Sequence, residues 1–190
     1  MPEPTPAGAA AADDDLDARV LALVAAALER RPEEIDPGAS LHALGAESLD
    51  FLDVAFRLER EFRIRMPRLN VLQRAEDHFG PGALVQDGAL TPFGLTVLRG
   101  TMPEVDPALL RPGLRASELG ALISVRTFAR IVRRMLAAKR EALRACAACG
   151  AEALRESPVT PEASCAACGQ VQVFPAGDDV LLQDLFALAR

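Results

Sequence analysis

Aromatic side chains are scarce in this 190-residue chain, which has no tryptophan, no tyrosine and an aromatic content of 4%. Interleaved rings on which bases would stack are therefore lacking, which weighs against nucleic acid as a ligand. Histidine is nearly absent as well: His42 and His78 are the only two. No segment is long enough to cross a membrane. The N-terminus shows no basic stretch followed by an apolar run, so no secretory signal is expected, and the four cysteines are read for a reducing, cytoplasmic setting. What is present is ample apolar material, half of the residues. That is enough for a helical bundle plus a small module stapled by other means.

The most informative segment is Leu44-Gly45-Ala46-Glu47-Ser48-Leu49-Asp50-Phe51-Leu52-Asp53. Gly45 breaks the preceding loop, and Ser48 falls at an N-cap or first-turn position. Apolar residues then recur at Phe51, Val54, Ala55, Leu58 and Phe62 with helical spacing. This arrangement offers the Ser48 hydroxyl to solvent while the opposite face anchors the helix. A phosphodiester on that oxygen would sit beside unsatisfied N–H groups at the positive end of the helix dipole. The plain alternative is a serine that only caps a helix.

Residues Leu44 to Pro67, LGAESLDFLDVAFRLEREFRIRMP, resemble the prosthetic-group region of acyl carrier proteins. The likeness extends upstream. Leu16, Val20, Leu23, Val24, Ala27 and Leu28 form one face of a first helix running from Asp15 to Arg30, with Asp13, Asp14 and Asp15 as capping candidates. A loop follows, broken by Pro32, Pro37 and Gly38. In the family such a loop plugs the bundle with an isoleucine and a leucine, here Ile35 and Leu41. The resemblance returns at Leu122 to Val132 as a closing helix, and Asp106-Pro107 reads as the capped start of a helix through Leu109 and Leu110.

Residues 68 to about 105 are read as an insertion. Gln73 to Phe79 extends a helix there, and Thr91-Pro92 starts another, stopped by Gly100 and Pro103. The insertion either shapes a cavity for an acyl chain, supplies a partner surface or is a packed elaboration.

The resemblance implies a fold and a role. The expected fold is mainly α: an acyl carrier protein-like four-helix bundle over 13–145 with the inserted segment, preceded by a disordered tail at 1–12. It is followed by a four-cysteine zinc ribbon at 146–177 and a C-terminal helix at 178–190. The implied role is that of a substrate carrier, not an enzyme. A phosphopantetheinyl transferase would attach 4'-phosphopantetheine to Ser48, with the catalytic magnesium belonging to that partner. The arm would carry acyl intermediates as thioesters for a specialised fatty-acid, polyketide or lipid pathway, delivering them to acyl-transferring or condensing enzymes. Those partners would meet Glu47, Leu49, Asp50, Leu52, Asp53, Phe56 and Glu59. Arg57, Arg60, Arg63 and Arg65 interleave positive charge where the family is more acidic, which points to a restricted, dedicated partner set. The alternative is a degenerate carrier domain kept as a zinc-containing interaction module without the arm. A hydrolytic Ser48–His42 pair is a weaker reading, since no glycine-flanked nucleophile elbow surrounds Ser48.

The second strong signal is Cys146-Ala147-Ala148-Cys149-Gly150 and its repeat Cys165-Ala166-Ala167-Cys168-Gly169. Fifteen residues lie between Cys149 and Cys165, within the spacing of tetrahedral zinc sites. All four thiols would be ligands, leaving no open position, so the site is structural. An iron–sulfur cluster uses the same donors and stays open as an alternative to zinc.

Net charge is −6, unevenly spread. Residues 13–66 hold thirteen Asp and Glu against seven Arg, whereas 67–190 hold thirteen against fourteen Arg and Lys. The acidic balance of the carrier-like part favours basic enzyme surfaces over nucleic acid. Arg126, Arg130, Arg133, Arg134, Arg140 and Arg144 line the helix leading to Cys146. They are read as a solvated face opposite Phe128, Ile131, Val132, Leu136 and Leu143 rather than as a nucleic-acid stripe. Asp178 or Asp179 caps the last helix, whose apolar residues require a packing partner.

Overall fold

The computed structural model describes residues 6–68 and 71–188, with side chains from Asp13 onward. Helix α1 (Pro6–Ala27) starts ahead of the boundary expected at residue 13, so Asp13 to Asp15 lie within the helix and do not cap it. Residues 1–5 of the expected tail lie outside the described residues. The helix also stops short of Arg30: Glu29 takes a left-handed φ of 52°, and the Arg30 amide closes back on the Ala25 carbonyl at 2.9 Å.

Helix α2 (Ser48–Phe62) packs against α1 and against α5 (Val125–Ala142). Val20 and Val24 of α1, Val54 and Leu58 of α2 and Val132 of α5 are fully buried together. These are the positions at which the apolar periodicity of each segment repeats, so the stripes meet as three faces of one core. The intervening loop contributes Ile35 and Leu41, both buried in the same cluster. It is fastened to the start of α5: the Leu41 amide donates to the Ile123 carbonyl at 2.8 Å, and the Arg126 amide to that of Pro37 at 3.2 Å. Ser124 caps α5, with the Thr127 amide donating to its hydroxyl.

Between α2 and α5 the chain builds a second layer. Helix α3 (Val71–Phe79), the hairpin β1 (Val85–Gln86) and β2 (Ala89–Leu90), and helix α4 (Pro92–Thr101) follow one another. The hairpin turns on Asp87 and Gly88, with φ of 53° and 77°, the left-handed pair that an Asp-Gly turn supplies. Thr91 caps α4 by accepting from the Gly94 amide at 3.0 Å. Glu76 of α3 accepts from the Leu84 and Val85 amides at 2.9 and 3.2 Å.

Two departures from the sequence reading stand out in this layer. Its apolar cluster of Leu90, Leu95, Leu98, Val105, Leu110 and Leu114 runs past residue 105, and it ends only at a 3₁₀ turn over Ala116–Leu122. The helix expected after Asp106-Pro107 is a series of turns. There the Asp106 carboxylate accepts from the Ala108 amide at 2.9 Å, a local bond that competes with helix formation.

A three-stranded antiparallel sheet follows α5, with β3 (Leu154–Glu156) paired to β4 (Glu162–Cys165) and β4 to β5 (Val171–Val173). The last helix, α6 (Gly177–Leu188), packs on α3, α4 and α5. Leu182 and Leu185 join Ala75, Leu84 and Val97 in a third cluster. Arg134 of α5 grips Asp184 of α6 with a two-nitrogen contact at 2.7–2.9 Å. No helix among the described residues is long and apolar enough to cross a membrane.

Leu58 of α2 is fully buried between the other two helices of the bundle. Leu58→Ala is expected to lower unfolding free energy by about 2–5 kcal/mol, measured by urea denaturation followed by circular dichroism.

Candidate functional site

The N-terminus of α2 is set by the loop before it. Gly45 adopts φ +85°, a conformation that side chains rarely take. The Gly45 amide bonds the His42 carbonyl at 2.9 Å, the Ala46 amide bonds that of Leu41 at 2.9 Å, and the Arg30 guanidinium holds the Leu44 carbonyl at 2.8 Å. This fold-back puts Glu47 at the N-cap, with φ −102° and ψ 174°, and Ser48 at the first helical position. Asp50 supplies the cap bond, accepting from the Glu47 amide at 2.7 Å. The capping task falls to a carboxylate, and the serine hydroxyl stands exposed beside the first free amides of the helix.

Below Ser48 runs an apolar stripe that the bundle does not cover. Leu49, Leu52 and Phe56 are 76%, 45% and 60% exposed. Three, four and seven residues apart, they share one face of α2. Asp53 flanks the stripe, paired with Arg57 at 2.8 Å. Two acids grouped with this surface from the sequence have other work. Asp50 is engaged in the cap, and Glu59 turns back to accept from the Met66 amide at 2.9 Å and to pair with Arg68 at 3.3 Å. His42 faces Phe51, ring centroids 5.6 Å apart, and no hydrogen bond joins it to Ser48 among the described residues. Three arginines of α5 are drawn into ion pairs: Arg130 with Glu104 at 2.8 Å, Arg133 with Asp13 and Asp17, and Arg134 with Asp184.

The cysteines converge as their spacing requires. The ligand atoms of Cys146, Cys149, Cys165 and Cys168 lie within 4.8 Å of one another. Sulfur–sulfur distances are 3.7 Å for Cys146–Cys168 and 3.7 Å for Cys149–Cys165. A tetrahedral ion with metal–sulfur bonds of ~2.3 Å has sulfur–sulfur edges of ~3.8 Å, so the cage fits one. Each knuckle closes on its glycine. The Gly150 amide donates to the Cys146 carbonyl and the Gly169 amide to that of Cys165, both at 2.8 Å, with φ of 73° and 74° at the two glycines.

Amides of Cys149 and Ala148 turned on the Cys146 sulfur lower its pKa to about 7. At Cys168 the Gln170 amide favours the thiolate. The neighbouring Cys149 sulfur, burial, and the Cys146 and Cys165 sulfurs oppose it and together raise the pKa to about 12. Four sulfurs this close cannot all ionise beside one another without a cation among them.

A residue the sequence reading passed over joins this module to the bundle. Lys139, the only lysine of the chain, is buried near the end of α5. Its ammonium donates to the Phe62 carbonyl at the end of α2 at 3.1 Å and to Glu156 of β3, and it lies 5.3 Å from the centre of the Phe174 ring. Arg63, left-handed at φ 49°, shares Glu156 at 2.9 Å. A lysine in an arginine-rich helix carries no periodic signal, so only its uniqueness in the sequence set it apart.

A short helical bundle presents an exposed serine at the head of its second helix, above an uncovered apolar stripe. Residues 18–78 match the family model described as phosphopantetheine attachment site. That segment is a carrier domain of the acyl carrier protein type, which bears a substrate and is not itself a catalyst. No solved structure matches the chain.

Lys139→Met keeps the length of the side chain but leaves the Phe62 carbonyl and Glu156 without their shared donor. A loss of about 1–3 kcal/mol is expected, measured by urea denaturation, with the four-cysteine module loosening before α1 and α2 in hydrogen exchange.

Proposed function

We propose that this chain carries acyl groups on a 4'-phosphopantetheine arm attached to Ser48. The observation that supports the reading most directly is the arrangement at the head of α2: Asp50 accepts from the Glu47 amide and Ser48 is exposed at the first helical position, inside the segment that matches the carrier family. In the attachment step the Ser48 oxygen forms a bond to the phosphorus of the arm in coenzyme A. The phosphoanhydride bond breaks, 3',5'-ADP departs, and the serine proton passes to a base on the transferase. The new phosphodiester keeps one negative charge, which the free amides and dipole of α2 favour. Once attached, the arm supplies a thiol that holds an acyl group as a thioester.

Leu49, Leu52 and Phe56, flanked by Glu47 and Asp53, form the face that the transferase and the acyl-transferring or condensing enzymes engage. A patch of rigid apolar side chains rimmed by carboxylates suits a basic, apolar groove on those enzymes. Arg57 and Arg60 narrow the choice of partner to a dedicated set, in a specialised fatty-acid, polyketide or lipid pathway of the cytoplasm. The ion in the four-cysteine cage is zinc, for which four thiolates at tetrahedral edges are a closed, structural coordination.

Intact mass spectrometry after co-expression with a broad-specificity phosphopantetheinyl transferase tests the attachment. The wild type is expected to gain the mass of one phosphopantetheine and Ser48→Ala none. An unmodified wild type, with a control carrier modified in parallel, overturns the reading.

Zinc is expected at one equivalent per chain by elemental analysis. Its removal with a chelator at neutral pH should unfold β3–β5 and lower the melting temperature of the whole protein by several degrees. Release should become easier as pH falls, because each departing thiolate takes up a proton.

A further inference from the structure

Behind the bundle, where the second layer and α6 meet α5, lies a cavity of about 620 Å³, within the range of small-molecule sites. Its walls are chiefly Leu98 of α4, Leu119 and Ile123 around the 3₁₀ turn, Ile131 of α5, and Leu181 and Leu185 of α6. No residue of α2 lines it; it lies on the outer side of the bundle core, sharing Ile131, Ile123 and Leu181 with it, while the core itself is closed by fully buried Val54, Leu58 and Val132. The charged groups at its margin are matched with one another: Arg134 with Asp184, Arg130 with Glu104 and Arg68 with Glu59. Among the described residues it therefore offers a ligand apolar contact and no uncommitted charge.

Two chains of side-chain contact lead from α2 to the margin of the cavity. One turn beyond Ser48, Phe51 faces the His42 ring at 5.6 Å. The Nε2 of His42 lies 3.8 Å from where a Cβ of Gly120 would stand, and Gly120 is part of the cavity wall. On the other side, the exposed stripe of α2 ends at Phe56, over which the Arg68 guanidinium sits 5.9 Å from the ring centre, and Arg68 is also at the margin. A phosphopantetheine arm has the length of about five extended residues and spans ~17 Å.

We infer that this cavity receives the tail of the acyl chain carried on Ser48, so that the cargo is an apolar chain of medium length or longer, held between the second layer, α5 and α6. The inference rests on the carrier reading. It also accounts for the placement of α6, whose last turn reaches over Gly100. A Cβ at that glycine would lie 2.8 Å from a Leu188 methyl carbon, and both residues border the cavity.

The test loads the full-length protein with acyl-phosphopantetheine from coenzyme A thioesters bearing a terminal diazirine, as short-chain and dodecanoyl probes, followed by irradiation and peptide mapping. The dodecanoyl probe is expected to label peptides holding Leu98, Leu119, Ile131 or Leu185, and the short probe to give mainly solvent-quenched product. Leu119→Trp, which fills the cavity, should cut the dodecanoyl cross-link several-fold while loading stays complete. Loading without labelling of these walls, or labelling confined to Leu49, Leu52 and Phe56, overturns the cavity assignment and leaves the carrier reading standing. Failure to load, with a control carrier loaded, overturns both. Should Leu119→Trp not fold, the wild-type map alone decides.

Discussion

Everything in this molecule depends on α5 closing the bundle. Helices α1 and α2 by themselves leave Val20, Val24, Val54 and Leu58 open on one side; Phe128, Val132 and Met135 of α5 seal them. Burial of such side chains is worth about 1.5–3 kcal/mol each, the largest favourable contribution available to so small a bundle. The loop that carries Ile35 and Leu41 inward is fastened to the head of the same helix, so the position of Ser48 depends on α5 as well. The closing element lies far along the chain from α2, and the residues between them must therefore form a layer that lets the two meet.

That layer is more than a tether. Its hairpin and helices share a core with α6, and the C-terminal helix is the bond between inserted layer and bundle, through the Arg134–Asp184 pair and the burial of Val180 against the first cluster. The family match ends at His78 within α3. Yet the apolar residues of α3 pack with α6 rather than into the bundle, and α5 supplies the closure. The four-cysteine module is held to the same frame through Glu156 of β3, which accepts from Lys139 of α5, itself bonded to the Phe62 carbonyl of α2, and pairs with Arg63. Gln172 of β5 adds a bond to the Ala142 carbonyl at 2.6 Å. A module too small for a core of its own gains order from these contacts.

Much of this was readable along the chain. Segments with a strong local signal were legible: the 3.6-residue periodicity of α2 and α5, the Thr91-Pro92 start of α4, the glycine-bearing CxxC repeat, and Ser48 in its acidic, apolar setting. Boundaries set by contact were not. The start of α1 at Pro6 follows Thr5, the same Thr-Pro pair that opens α4, but it lies in a Pro- and Ala-rich stretch without apolar periodicity and so read as a tail. Asp106-Pro107, a reasonable helix start, folded instead into turns because Leu110 and Leu114 are pulled into the second cluster. Asp50 and Glu59, alike in sequence with Asp53, were drawn to the Glu47 and Met66 amides by the way the chain bends at each end of α2.

Local chemistry determined the central turns of α2, α4 and α5, which serine is presented and which cysteines form the cage, because periodicity, capping and ligand spacing act over a few neighbouring residues. Tertiary structure alone decided which helix closes the bundle, where α6 docks, that the single lysine joins module to carrier, and that a cavity opens between layers. Those outcomes are set by side chains distant in sequence competing for the same buried space, and no short stretch of the chain encodes them.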